Sequence, residues 1–190
     1  MKQVIKAFGA RQGRLDAVFA NAGITGGAPI SHREGEIENI DLSLWQNVID
    51  INLTGVFATM QAAAAVMKPQ KSGCIICTAS IAGMQTSSIS GYAYSATKAA
   101  VIHLVHLAAA ELAPYNIRVN GIAPGPFLTN IAGGRMFREP GRVDMMAATT
   151  GLNRVADPSE LKGLALLLAS DASSFITGQV VPIDGGSLVK

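Results

Sequence analysis

Short apolar runs alternate along this chain with longer stretches of helical spacing, the pattern of a parallel sheet covered by helices. Residues 1–12 read as the end of a helix. LDAVFA at 15–20 is a first strand, broken by the turn residues Asn21, Ala22 and Gly23. A polar loop through Pro29 and Gly35 leads into a long helix, from an N-cap at about Ser43 to Met67, stopped by Pro69. CIICTA at 74–79 is a second strand. Helical spacing resumes near Tyr92 and lasts to about Ala113, and IRVNGIA at 117–123 is a third strand that ends at Pro124 and Gly125. The stretch 126–156, rich in Gly, Met and Arg, is too long for an ordinary connection and is expected to form a mobile lid. Asp157 and Pro158 open another helix as N-cap and first helical residue, and GQVVPIDGG closes the chain with a fourth strand. The expectation is a single α/β domain over 1–190 with about four parallel strands. Polar and Gly/Pro residues gather at the C-terminal ends of those strands, the edge where open α/β sheets bind ligands.

Composition narrows the partners. A chain of 190 residues that is 49% hydrophobic and 15% charged has enough apolar surface for one sizeable core. The net charge is +2, with Lys and Arg scattered, so there is no basic footprint for nucleic acid and the expected partners are small molecules. No uninterrupted apolar run approaches the roughly 20 residues of a membrane span. The opening MKQVIKAFGARQGRLD lacks the apolar core of a signal peptide, so the expected location is cytoplasmic, with no membrane partner. Cys74 and Cys77 form a C-x-x-C pair, but strand geometry sends positions i and i+3 to opposite faces. They are read as core packing, and no metal site is expected.

The residues with chemistry are Tyr94 and Lys98 in YSATK, preceded by Ser80 at a strand end and Asn52 in IDINLTGVF. Tyr94 and Lys98 are four apart and share a helix face. A phenol with a pKa near 10 is a poor base at neutral pH, and a neighbouring ammonium favours the phenolate; a lowering of two units requires about 2.7 kcal/mol. Tyr94 is thus a candidate general acid and base for an alcohol/carbonyl pair, and Ser80 a hydrogen-bond donor to the substrate oxygen. Rival readings exist for each. Tyr92 has no lysine four residues on; Ser87, Ser88 and Ser90 lie in a polar loop; Asn52 can simply bridge helix backbone. His103 and His106 read as surface or subunit-interface residues, and Trp45 and Phe57 as packing. Arg135, Arg138 and Arg142 read as a solvated loop face that can alternatively meet an anion.

In this order N-A-G at 21–23, Asn52, Ser80, Y-x-x-x-K at 94–98 and P-G-x-x-x-T at 124–129 resemble the short-chain dehydrogenase/reductase family, over essentially the whole chain. The resemblance implies a Rossmann-type doubly wound sheet and hydride transfer between NAD or NADP and a secondary alcohol or ketone. It makes Tyr94 the catalytic acid/base, Ser80 the substrate-orienting hydroxyl, and Lys98 the group that lowers the tyrosine pKa and holds the nicotinamide ribose. Asn52 would anchor a proton-relay water. Asn21, Ala22 and Gly23 would pack beside the adenine-side ribose. Pro124, Gly125, Phe127 and Thr129 would cover the nicotinamide. The helices at about 43–67 and 92–113 resemble the family's usual interface and imply a homo-oligomer; a catalytically silent oligomerisation module is the alternative function.

One family element does not occur in these 190 residues, the T-G-x-x-x-G-x-G turn whose amides hold the cofactor pyrophosphate. GITGGAP at 23–29 has the glycines without the strand-turn-helix context. The expectation is a truncated member lacking its first strands and helices, roughly 60 residues by two βα units, with the edge and both faces of LDAVFA uncovered.

Overall fold

The computed structural model describes residues 2–190. Four parallel strands pair in sequence order: β1 (Ala17–Ala20), β2 (Gly73–Thr78), β3 (Ile117–Pro124) and β4 (Val180–Ile183). One face carries α1 (Lys2–Gln12), α3 (Gly55–Gln70) and α4 (Tyr92–Leu112), because Ala and Val line their buried stripes and let the helix backbones approach the strands closely. Ala62, Ala63, Val101 and Val105 meet Ile75, Cys77 and Val119 there, all at most 2% exposed. The opposite face is thinner. α7 (Lys162–Ala169) covers it with Leu168 against Cys74, Ile76 and Ile122. The two cysteines therefore face opposite ways, as the pleat requires, and both are buried and free.

Strand β1 is an edge, and only one of its faces is open. Val18 and Ala20 are buried under the helices, whereas Phe19 on the other face is 47% exposed.

The first long helix departs from its sequence reading at both ends and in the middle. Asp41, not Ser43, is the N-cap: its side chain accepts from the Ser43 backbone N–H, and α2 runs Leu42–Ile49. A π turn follows at Asp50–Thr54 before α3 resumes the α-helical ladder. Pro69 does not stop the helix but sits in its last turn on the exposed side, and Lys71 ends it in the left-handed conformation at φ 52°. By length and mean hydropathy, 42–70 and 92–115 could each cross a membrane, at 1.3 and 1.2, even though neither is an unbroken apolar run. In the fold both belong to the helical layer on the sheet.

The 126–156 segment has structure of its own, including α5 (Arg135–Arg138) and α6 (Arg142–Ala147). Its two ends meet: Phe127 and Ala156 form a parallel bridge, with Leu128 N–H donating to the Ala156 carbonyl at 2.9 Å and Ala156 N–H to that of Pro126 at 3.0 Å. Asp157 and Glu160 then form a reciprocal capping box, with Pro158 in the first turn. Arg118 on β3 ties this half to the sheet by donating to the carbonyls of Leu168 and Ser170 and to the Ser173 hydroxyl, at 2.7–3.0 Å. Its charge stands at the C-terminal end of α7, where the last carbonyls lack further partners from the helix itself.

Candidate active site

The C-terminal ends of β1, β2 and β3 bring the three loop segments together beside the first two turns of α4. Strand β2 ends at Thr78, and Ser80 caps a 3-10 turn at Ile81–Gly83 by accepting from the Ala82 N–H at 3.2 Å. This turn lies directly on α4. A Cβ on Gly83 would come within 2.5 Å of the Lys98 carbonyl carbon, so only glycine permits the approach. The approach sets Ser80 beside Tyr94, and both side chains face the same cavity.

Both hydroxyls line a cavity of about 380 Å³, whose walls also include Pro124, Gly125, Gln85 and Arg142. Burial raises the Tyr94 phenol above its ordinary value, and the neighbouring Ser80 hydroxyl opposes that rise. Lys98 lies behind, 3% exposed, with Nζ 5.7 Å from the centre of the Tyr94 ring and donating to the Thr78 carbonyl at 2.7 Å. Burial pushes its ammonium down to about 8. The expected lowering of the tyrosine by the lysine is therefore corrected in this structure. Desolvation dominates at both groups, and the ammonium is directed at a backbone carbonyl rather than at the phenol oxygen.

Asn52 is fully buried within the π turn and binds the end of the first strand loop like a second backbone. Its Oδ1 accepts from the Ile24 N–H and its Nδ2 donates to the Ile24 carbonyl, both at 2.8 Å; Nδ2 also reaches the Thr97 hydroxyl at 3.4 Å. Asn52 thus bridges loop backbone at Ile24 and not helix backbone. The same contacts draw Gly23 to the centre, where a Cβ would lie 3.4 Å from both Asn52 Oδ1 and Lys98 Nζ. Asn21 is joined to β2 by a 2.8 Å hydrogen bond donated by the Thr78 hydroxyl, and Ala22 is exposed beside it.

The remaining expectations divide. Pro124 and Gly125 stand in the cavity wall, and Gly125 packs so tightly that a Cβ would be 2.7 Å from Asp184 Cα. Phe127 is 6% exposed and faces a different hollow, with Thr150 and Ile183, while the Thr129 hydroxyl accepts from the Ile131 N–H at 3.4 Å. These two are not brought to the Ser80–Tyr94 cavity. Tyr92 is 40% exposed and borders another hollow beside Trp45; Phe57, His103 and His106 are exposed. Ser87, Ser88 and Ser90 do line the cavity. Arg138 is exposed, and the Arg135 side chain lies outside the described residues; Arg142 is not a solvated loop residue but part of the cavity wall. Two partners were not found from the sequence. Thr97 and Thr78 are unremarkable polar residues until the register of β2 against α4 places one beside Asn52 and the other under Lys98.

A Rossmann-type sheet with these groups at its C-terminal edge defines a class, and comparison with known proteins agrees with it. A family model described as enoyl-(acyl carrier protein) reductase matches residues 1–187. Sorbose reductase of Schizosaccharomyces pombe is 41% identical over 175 residues, covering 92% of this chain and 65% of its own length. A crystal structure of a short-chain dehydrogenase/reductase from Mycobacterium marinum superposes with a TM-score of 0.87 at 34% identity, over all of this chain and 73% of its own. A structure titled ElxO with NADP bound gives a TM-score of 0.90 at 27% identity, over all of this chain and 73% of its own. The chain belongs to the short-chain dehydrogenase/reductase family.

Proposed function

We propose that this chain carries the substrate and proton-transfer half of an NAD- or NADP-dependent oxidoreductase that interconverts a secondary alcohol and a ketone. The observation that supports this most is the Ser80–Tyr94 hydroxyl pair on the cavity with Lys98 behind it. The donor set suits a nicotinamide ribose. Lys98 Nζ uses one of its three donors on Thr78 O and lies beside the side-chain-free Gly23, where a diol can approach. Lys98 and Tyr94 would hold that ribose, Pro124 and Gly125 the nicotinamide, and Asn21, Ala22 and Gly23 the adenine-side ribose. Bound nicotinamide supplies or accepts the hydride.

The protein's own part is the proton. Ser80 orients the carbonyl oxygen, and Tyr94, kept protonated by burial, gives its phenolic proton to that oxygen as the carbon is reduced; oxidation is the reverse, with the phenolate as base. Asn52 and Thr97 hold Gly23 and Ile24 so that the floor of the site does not move. Sorbose reductase and the NADP-bound relative are named for carbonyl reduction and for the cofactor respectively, which supports the same reading. Phe57 and Leu107, 50% and 56% exposed on α3 and α4, favour self-association of this chain through those helices.

The test is calorimetric titration with NADH and NADPH, followed by absorbance of the reduced cofactor with ketone substrates. Binding and turnover that vanish in Tyr94→Phe are expected to support the reading. A folded chain that binds neither cofactor refutes it.

A further inference from the structure

The cavity has a charge that hydride transfer does not require. Among the described residues lining it, Arg142 alone is charged; the others are hydroxyl, amide or apolar, and none is Asp or Glu. Arg142 opens α6 in the 126–156 segment, and its side chain is only 17% exposed. Its carboxylate neighbour, Glu139, lies one turn back at 3.4 Å and is 44% exposed, so the pair is long and faces solvent on the acid's side. A guanidinium placed there has lost much of its hydration, and the pair with Glu139 engages only one of its nitrogens. It has five donors in a planar fork, matched to a carboxylate. Across the same cavity Gln85, Ser87, Ser88 and Thr149 supply hydroxyl and amide groups suited to a hydroxylated carbon chain.

We propose that Arg142 is the specificity-determining residue of this site, and that the substrate is a small hydroxylated carboxylate whose acid group Arg142 binds while Ser80 and Tyr94 take the reacting oxygen. The inference rests on the proposed alcohol/ketone chemistry of the same cavity. The volume of about 380 Å³ is near the lower end of ligand pockets and accommodates a metabolite of this size.

The experiment compares two probes that differ only at one end, gluconate and its neutral counterpart sorbitol, by calorimetry on the chain with and without NADPH, beside turnover of each with the oxidised cofactor. Gluconate is expected to bind at least tenfold more tightly, with the ratio falling towards one in Arg142→Gln and as salt is raised, and with most of the ratio kept in Arg142→Lys. The Lys variant keeps the charge, so it separates loss of the cation from loss of fold, which circular dichroism also follows. Equal affinities, no binding of gluconate, or a ratio indifferent to Arg142→Gln overturns the proposal. Turnover of sorbitol at a rate equal to gluconate leaves the oxidoreductase reading in place while overturning this one. A gluconate preference without any turnover overturns the oxidoreductase reading and, with it, the substrate role given to Arg142.

Discussion

Lys98 is a buried cation whose folding cost is measurable apart from activity. Its ammonium falls from the ordinary 10.5 to about 8 on burial, which at 1.36 kcal/mol per pKa unit is about 3 kcal/mol lost to the native state at neutral pH. The sign is that of a base whose folded pKa is depressed. The penalty is full below about pH 8 and is relieved as pH rises from 8 to 10.5, since there the unfolded chain holds the proton that the folded chain has released. Lys98→Met keeps the volume, removes the charge and forfeits the charge-assisted bond to Thr78 O, worth about 1.5–3 kcal/mol. At pH 7 the variant is expected to be no less stable than the native sequence and up to about 2 kcal/mol more stable, although it is placed at the heart of the site. By pH 9.5 the remaining penalty is about 1.4 kcal/mol, so the advantage shrinks by about 2 kcal/mol and disappears. Cys77 works in the opposite direction: burial takes its thiol up to about 12, which costs stability as pH rises between 9 and 12. Removing Lys98 takes away the charge that opposes that rise, but through pH 9.5 the folded thiol is protonated in either protein, so the effect drops out of the difference. Urea unfolding of the pair at pH 7, 8.5 and 9.5, followed by circular dichroism, is the assay. A stability difference that stays flat across this range would refute the account of Lys98 as a desolvated cation.

Tyr94→Phe should reduce turnover by 100-fold or more in both directions, read by cofactor absorbance, because general acid-base catalysis typically contributes that much. Since burial raises the Tyr94 phenol, alcohol oxidation should climb with pH into the alkaline range while ketone reduction stays level through neutrality; an oxidation rate that saturates below pH 8 contradicts the raised phenol. Arg118→Ala removes three hydrogen bonds, two of them to the last carbonyls of α7, and should cost about 2–4 kcal/mol in urea unfolding without abolishing cofactor binding. Gly83→Val forces a methyl-bearing carbon onto the backbone of Lys98 and should cost 2 kcal/mol or more, roughly that of core overpacking, with loss of near-ultraviolet dichroism around Tyr94.

What the sequence revealed and what it concealed follow from range. Strand runs such as CIICTA and IRVNGIA carry their own signal, because a strand buried on both faces must be apolar almost throughout. Tyr94 and Lys98 were legible because helix spacing alone puts them on one face. The π turn around Asn52 was not, since an inserted residue leaves no change in hydrophobic period over so short a stretch. The direction of the Tyr94 shift was misread for a related reason: spacing says that a lysine is near, while only three-dimensional packing says that its ammonium turns to Thr78 O. Arg142 likewise looked like one of three loop arginines until α6 turned it inward. Phe127 carries a motif position, yet its ring is committed to packing below the bridge with Ala156.

That bridge also shapes how such a protein can diversify. Because the 126–156 excursion closes on itself at the Phe127–Ala156 bridge, its length and contents can be rewritten as a cassette while the strand register beneath is undisturbed. Inserting residues in an already closed loop costs only the slow logarithmic growth of closure entropy, about 0.6 kcal/mol per doubling. The segment that brings Arg142 into the cavity wall can thus vary in length at little cost to folding, and the lining of that cavity can change there without renegotiating the core.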